Sequence, residues 1–242
     1  QYFMKKRVYP NYETVWHFDS KIAQSYIFKH QRIKSPHTFV SFDYNEAIHQ
    51  ARKQRYPVVL KESGGASSSG VSLIRSGRAM ISYINKRFLW ENLLSRKVSS
   101  RLFDRFGQIY IQTFLRGNPA DLRINIIGDQ YAFGFWRKNR ENDFRASGSG
   151  RIDYKTELPK HIIEYCARIS RMNRFDSMAY DILFRKDKFY IVEMSYGYND
   201  RAVYNSGGYY ILDKNCEVSE FVTGHYWPQQ LWVRWLLDNI RK

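Results

Sequence analysis

The chain lacks any apolar run near the roughly 20 residues that a membrane-spanning helix requires, so no segment of it reads as a bilayer crossing. Its start, Gln1-Tyr-Phe-Met-Lys-Lys-Arg7, has no apolar signal-peptide core and no Met at position 1, which reads as a fragment. Cysteine is nearly missing: Cys166 and Cys216 are too few for a disulfide framework or a Cys-rich zinc site. A reducing cytoplasm is the simplest home for such a chain. The six histidines show no metal-ligand spacing. Acidic residues are scarce, 23 against 39 Lys and Arg, leaving a formal net charge of +16. That excess calls for nucleic acid, an anionic membrane face, or phosphorylated and carboxylated substrates. The basic residues are spread along the chain and form no single tail, as in Arg52-Lys-Gln-Arg55 and Arg137-Lys-Asn-Arg140.

Against these absences stand 43% hydrophobic and 17% aromatic residues, the composition of a folded chain. Its 242 residues can bury a core as one large domain or as two joined lobes. Helices and strands alternate along it. Asp19 or Ser20 caps a helix reaching His30, a strand spans Thr38 to Phe42, and Asn45 to Gln54 is helical with Ala47, Ile48 and Ala51 inward. Tyr56 to Lys61 and Val71 to Ile74 read as strands, and 77–87 and 88–104 as two helices. Ile109 to Leu115, Asp121 to Ile127 and Gln130 to Lys138 read as strands of one sheet, followed by a polar loop at 139–151. Pro159 to Met172 and Pro228 to Ile240 are amphipathic helices, and 199–215 reads as a further loop.

Two segments carry chemistry. Tyr180 to Phe184 and Phe189 to Met194 form a hairpin around a charged turn, which brings Asp181 beside Glu193. Facing carboxylates among apolar neighbours need a proton or a cation between them, and oxygen-only ligands suit Mg2+. The other segment is Glu62-Ser-Gly-Gly-Ala-Ser-Ser-Ser-Gly70, set between two strands. Its small residues offer N–H and hydroxyl donors to phosphate, with Lys61 at the preceding strand end. No Gly-Lys-Ser/Thr closes it, so it is not a Walker loop. Together the two segments suggest metal-nucleotide binding.

These residues, in order, resemble the ATP-grasp superfamily, especially carboxylate–amine ligases of the ribosomal-protein glutamate ligase type. The resemblance runs over about 16–200 through Asp19-Ser-Lys21, Pro57-Val-Val-Leu-Lys61 with the Gly/Ser loop, Ile111-Gln-Thr-Phe-Leu115, Asp121-Leu-Arg123, Arg137, Asp143-Phe-Arg145, Asp181 and Glu193-Met-Ser195. It implies an α+β fold of two lobes, 1–108 and 109–242, with the nucleotide between their sheets. Lys21, Lys61, Ser67, Ser68, Ser69 and Asp121 are then ATP contacts, and Gln112, Thr113, Phe114 and Leu115 the adenine hinge. Asp181, Glu193 and Ser195 are the implied Mg2+ ligands. Arg123, Arg137 and Arg145 are the implied cations at the transferred phosphate and the acyl substrate. The implied reaction is ATP-dependent amide formation through an acylphosphate, joining an anionic small molecule, sugar or peptide to an amine.

Two positions depart from the family's pattern. Ser195 stands where Asn is usual, leaving Asn199 or a water as substitute ligand, and Thr113 replaces an acid in the hinge. The family also places a small α/β domain ahead of this region, for which the chain has little room. No side-chain nucleophile is required, so both cysteines read as structural. Two other functions remain open from sequence: a kinase of the same fold acting on a polyanionic small molecule, and a nucleic-acid-binding module. The second rests on aromatics interleaved with bases, as in Phe133-Gly-Phe-Trp-Arg-Lys138. It leaves Asp181 and Glu193 without a role.

Overall fold

The chain divides into two compact units at Asp19 and Gly117. In the computed structural model the described residues are 3–62, 70–94, 107–141, 143–146 and 148–240. One unit is Asp19–Arg116, and the other joins Gln1–Phe18 to Gly117–Lys242. The short first helix, α1 (Tyr12–Val15), therefore belongs with the later unit. The hydrogen bonds explain why. The Asn11 backbone N–H donates to Asp176 Oδ2 at 2.7 Å, and the Asp176 N–H donates to Thr14 Oγ1 at 2.8 Å.

The 19–116 unit begins with α2 (Lys21–His30), β1 (Thr38–Ser41) and α3 (Tyr44–Lys53). It continues through β2 (Val58–Lys61), β3 (Val71–Ile74), α4 (Gly77–Leu94) and β4 (Ile109–Thr113). Ser20, not Asp19, caps α2, its hydroxyl accepting from the Ala23 N–H at 3.2 Å. Asp43 caps α3 one residue earlier than expected, accepting from the Glu46 N–H at 2.7 Å. The strands form an antiparallel sheet in the order β1-β4-β2-β3. Val58, Leu60, Ile109 and Ile111 share one face, where they pack on Ala47, Ile48 and Ala51 of α3 and Met80 and Ile84 of α4. Each of the Val, Leu, Ile and Met side chains contributes about 1.5–3 kcal/mol by leaving water.

Two expectations fail here. β4 does not join the later strands in one sheet, because it is hydrogen-bonded between β1 and β2. The boundary thus falls at 116/117, not 108/109. Residues 77–94 form one helix where two were expected, and the remainder of 88–104 lies outside the described residues.

The other unit is built on β5 (Ala120–Ile127), β6 (Tyr131–Lys138), β7 (Ile152–Asp153), β8 (Ser177–Arg185) and β9 (Lys188–Ser195). After α5 (Lys160–Met172) and α6 (Asp200–Tyr204) come β10 (Gly208–Leu212), β11 (Val218–Thr223) and α7 (Pro228–Ile240). The stretch 199–215 is therefore a helix and a strand as well as a loop. The seven-stranded sheet runs β11-β10-β6-β5-β8-β9, with β7 beside β6.

Alternation gives this sheet two faces of different character. Leu122, Ile124, Tyr180 and Ile182 point to one side, where the Tyr180 hydroxyl lies 2.7 Å from Ser170 of α5. Asp121, Arg123, Asn125 and Ile127 point to the other. There Ile127, Phe133 and Phe135 are covered by Ala202 and Val203 of α6 and Leu231 and Trp235 of α7. The β5–β6 turn holds the α7 end close. Gly128 has φ +58°, and a Cβ there would lie 2.0 Å from Trp235 Nε1, so only glycine satisfies both conformation and space. Beyond Phe135 the same face turns from apolar to charged. Among the described residues no helix is long and apolar enough to cross a membrane.

Candidate active site

In the 19–116 unit, β4 alternates Ile109 and Ile111 into the core with Tyr110 and Gln112 onto the opposite face. Val59 lies opposite Gln112, so Lys61, two residues on, shares that face. Lys61 is buried, and its ammonium lies 5.9 Å from the centre of the Tyr110 ring. The Gln112 amide donates to Thr38 Oγ1 at 3.2 Å and to the Tyr110 hydroxyl at 3.3 Å. Lys21 opens α2 and is also buried. Thr113 ends β4, donating its N–H to the His37 carbonyl at 2.9 Å, with Leu115 buried and Phe114 half-buried after it. Buried ammonium groups are costly unless something anionic or electron-rich meets them. Ser67, Ser68 and Ser69 lie outside the described residues.

In the other unit the charged end of the sheet face is a closed network of four side chains. Cross-strand register puts Asp121 opposite Arg137, and Arg123 opposite Asp181. Arg137 donates to both Asp121 oxygens, from Nε at 2.7 Å and Nη2 at 2.6 Å. Its Nη2 also lies 2.8 Å from Asp181 Oδ2. Arg123 donates to Asp181 Oδ1 from Nε at 2.7 Å and to Oδ2 from Nη2 at 2.9 Å. Burial alone would raise the Asp181 carboxyl, but Arg123 and Arg137 outweigh it and hold the group at about 2. Asp121 is pushed up by its burial, with one guanidinium partner and the Asp181 charge nearby. A buried ion network of this kind is a poor device for stability, since apolar replacements are often as stable. Its value lies in what it presents. The Nη1 groups of Arg123 and Arg137 make no hydrogen bond with any described residue, leaving N–H donors for an anion.

The hairpin places the expected metal ligands as its sequence implies. Asp181 pairs directly with Glu193, and Ser195, two residues on along the edge strand, shares their face. The carboxylates do not share an ion-sized site, however, because both Asp181 oxygens are turned to the arginines. Among the described residues no group of three or more His, Cys, Asp or Glu is placed to hold a metal. Glu193 makes no side-chain hydrogen bond or ion pair with a described residue, and the Ser195 hydroxyl donates to the Gly197 carbonyl at 2.7 Å. A hard divalent ion would find oxygen donors in Glu193 and Ser195, and in Asp181 only if it loosened from a guanidinium. The Asn199 side-chain oxygen caps α6, accepting from the Ala202 N–H at 3.0 Å.

Arg145 is not brought into this network. It pairs locally with Asp143, Nη2 to Oδ2 at 2.8 Å, in the 139–151 loop. Both cysteines are buried and free, and burial pushes their thiols up, away from nucleophilic use. Sequence reasoning missed Tyr110 and Asn125. Tyr110 could have been found from its alternation with Gln112. Asn125 follows the Asp121, Arg123 period by two more residues. It is fully buried on the network's face, and neither amide atom has a hydrogen-bond partner among the described residues.

Known proteins resemble this chain in sequence and in fold. The chain is 27% identical over 183 residues to the alpha-aminoadipate–LysW ligase LysX of Saccharolobus solfataricus, covering 76% of this chain and 62% of that protein. It is 25% identical to the coenzyme gamma-F420-2:alpha-L-glutamate ligase of Methanocaldococcus jannaschii, covering 68% of this chain and 53% of that protein. The chain thus spans little more than half the length of these relatives. Among solved structures, the ATP-grasp ligase PsnB complexed with minimal precursor superposes with a TM-score of 0.58 at 17% identity, over 84% of this chain and 60% of that one. The RimK domain protein ATP-grasp from Sphaerobacter thermophilus gives 0.54 at 16% identity, over 76% and 61%. These two likenesses establish the fold. Residues 19–199 match the RimK-like ATP-grasp domain, a span that takes in Lys21, Lys61, the Asp–Arg network and the Glu193 hairpin. The chain belongs to the RimK-like ATP-grasp family.

Proposed function

We propose that this chain carries the nucleotide-binding and acyl-activating part of an ATP-dependent carboxylate–amine ligase acting in the cytoplasm. The observation that carries the reading is the pair of guanidiniums fixed by Asp121 and Asp181, with Glu193 and Ser195 beside them, inside a RimK-like ATP-grasp domain. A carboxylate is a poor electrophile. Transfer of the γ-phosphoryl group of ATP to it gives an acylphosphate and ADP. Attack by an amine then expels phosphate, an amine proton is lost, and an amide forms. Arg123 and Arg137 serve this chemistry by presenting N–H groups to phosphoryl and acyl oxygens as charge builds on them. They are pre-oriented by their aspartates, so no reorganisation is needed at the moment of reaction. Asp181, Glu193 and Ser195 are the residues that would hold Mg2+, which when bound neutralises phosphate charge. Lys61 and Lys21 serve the nucleotide phosphates, and Gln112 to Leu115 its base. The relatives' names join amino acids to a protein or a coenzyme, so an amino-acid amine or carboxylate is the substrate class to try first.

The test is a turnover screen with ATP, Mg2+, amino acids, sugar acids and peptides. The expected result is release of ADP and free phosphate together, dependent on an added amine, with a product lighter than its parts by one water. ADP release with a phosphorylated product and no free phosphate would establish the kinase instead. Absence of ATP turnover with every acid and amine would sink both. Within the same reading, Lys61→Ala lowers nucleotide affinity by about 1.5–3 kcal/mol, the range of a charge-assisted contact. Calorimetric titration with a non-hydrolysable ATP analogue measures it, and unchanged affinity removes Lys61 from the site.

A further inference from the structure

Asp181 gives its oxygens to two guanidiniums, while Glu193 and Ser195 lie beside it with chemistry suited to a divalent cation. A cation and a guanidinium compete for the same carboxylate lone pairs and repel each other. If Asp181 turns to a cation, its carboxylate leaves Arg123, which holds both of its oxygens, as well as Arg137, which shares one. Arg137 keeps a bidentate partner in Asp121, so it loses little. Arg123 has no second acceptor among its hydrogen bonds and ion pairs, and its side chain is only 15% exposed. A guanidinium stranded there would carry the full cost of an unpaired buried charge.

Asn125 stands two residues along β5 on the same face, about 6.6 Å away by strand geometry and within reach of an arginine side chain. It is 0% exposed, and neither its amide oxygen nor its amide nitrogen has a hydrogen-bond partner among the described residues. Its lateral neighbours are Ala179 on β8 and Phe133 on β6, neither of which offers a side-chain polar atom. A buried amide without a partner is a penalty in the ion-free state, one that an apolar residue of similar size would avoid. We propose that Asn125 is a positioning residue that accepts Arg123 when Asp181 turns to a divalent cation, so that the face has two closed hydrogen-bond arrangements. Asn125 touches neither cation nor substrate; it acts through Arg123. The inference rests on Asp181 and Glu193 being the cation-binding acids.

The experiment is Mn2+ titration of the whole chain in the presence of a non-hydrolysable ATP analogue, followed by paramagnetic resonance of free Mn2+. Asn125→Leu removes the acceptor at similar volume, and Asn125→Thr keeps an acceptor oxygen. The expected result is Mn2+ affinity about tenfold weaker in Asn125→Leu, the lower end for a charge-assisted hydrogen bond, and closer to wild type in Asn125→Thr. The ion-free unfolding midpoint of Asn125→Leu should equal or exceed that of the wild type. Equal Mn2+ affinity in all three proteins overturns the inference alone. A lower ion-free midpoint for Asn125→Leu also overturns it, since the amide would then be a structural partner in the resting state. Failure of the wild type to bind Mn2+ removes the cation site and the inference with it.

Discussion

Replacing Asp181 with Asn lowers the stability of the unit that carries it by about 3–5 kcal/mol, the cost of stripping one partner from a buried ion pair. The change leaves Arg123 and Arg137, with 15% and 9% of their side chains exposed, facing Asp121 as their sole remaining carboxylate. Two buried positive charges against one negative cannot be satisfied by an amide. For a chain of this size the loss corresponds to a fall in unfolding midpoint of about 6–20 °C. Chemical denaturation measures it, and a loss below about 1 kcal/mol would mean that the pairs are not closed in solution. The pH dependence has a defined sign. Asp181 is held at about 2 against an ordinary 3.8, so its contribution is complete above the ordinary value and is lost as pH falls toward 2. A consequence for enzymology follows. Loss of activity in Asp181→Asn does not by itself identify a metal ligand, because the same substitution releases Arg123 and leaves Arg137 to Asp121 alone.

The meeting of Asp181 with Glu193 was legible because the hairpin is tight. Arg185 pairs with Lys188 across a two-residue turn, which brings the two acids to the same end of the hairpin. Their direct pairing also needs the bulge between Asp181 and Ile182, since the turn's register alone would set Asp181 against Val192. Local devices were legible for the same reason: the Ser20 cap and the Ala47, Ile48, Ala51 stripe each depend on residues within one or two turns. The placement of β4 was not. Ile109 to Thr113 alternates like any strand, and nothing in that period says which partner it takes. The choice of β1 and β2 is made by burial of Ile109 and Ile111 against α3 and α4, a contact over tens of residues. The same holds for the network. Asp121 and Arg137 were each picked out, but their pairing depends on the register through the Gly128 turn. Arg123 meets Asp181 through a separate register, that of β5 with β8. The sequence therefore named the charges but could not say that they neutralise one another. Asn125 was invisible for a further reason: an Asn in a strand reads as exposed or as a turn residue, and only its complete burial makes it informative.

Glu193 separates the two roles that Asp181 combines. It lies opposite Asp181 on the edge strand, half-buried, with no ion pair to a described residue. Glu193→Gln keeps the shape and removes the charge, so stability should change by no more than about 0.5 kcal/mol, as for a substitution away from any buried network. Turnover should fall by about 10²–10³-fold, the loss typical when one electrostatic group aimed at a reacting centre is removed. A drop in kcat with nucleotide affinity altered far less would place the carboxylate on the reacting phosphate and its cation. Equal losses in both would place it on nucleotide binding in general. The informative comparison is with Asp181→Asn at matched temperature, well below both unfolding midpoints. If Glu193→Gln retains full ATP turnover while remaining folded, the hairpin is not a cation site. Its face would then work through the Arg123 and Arg137 guanidiniums alone.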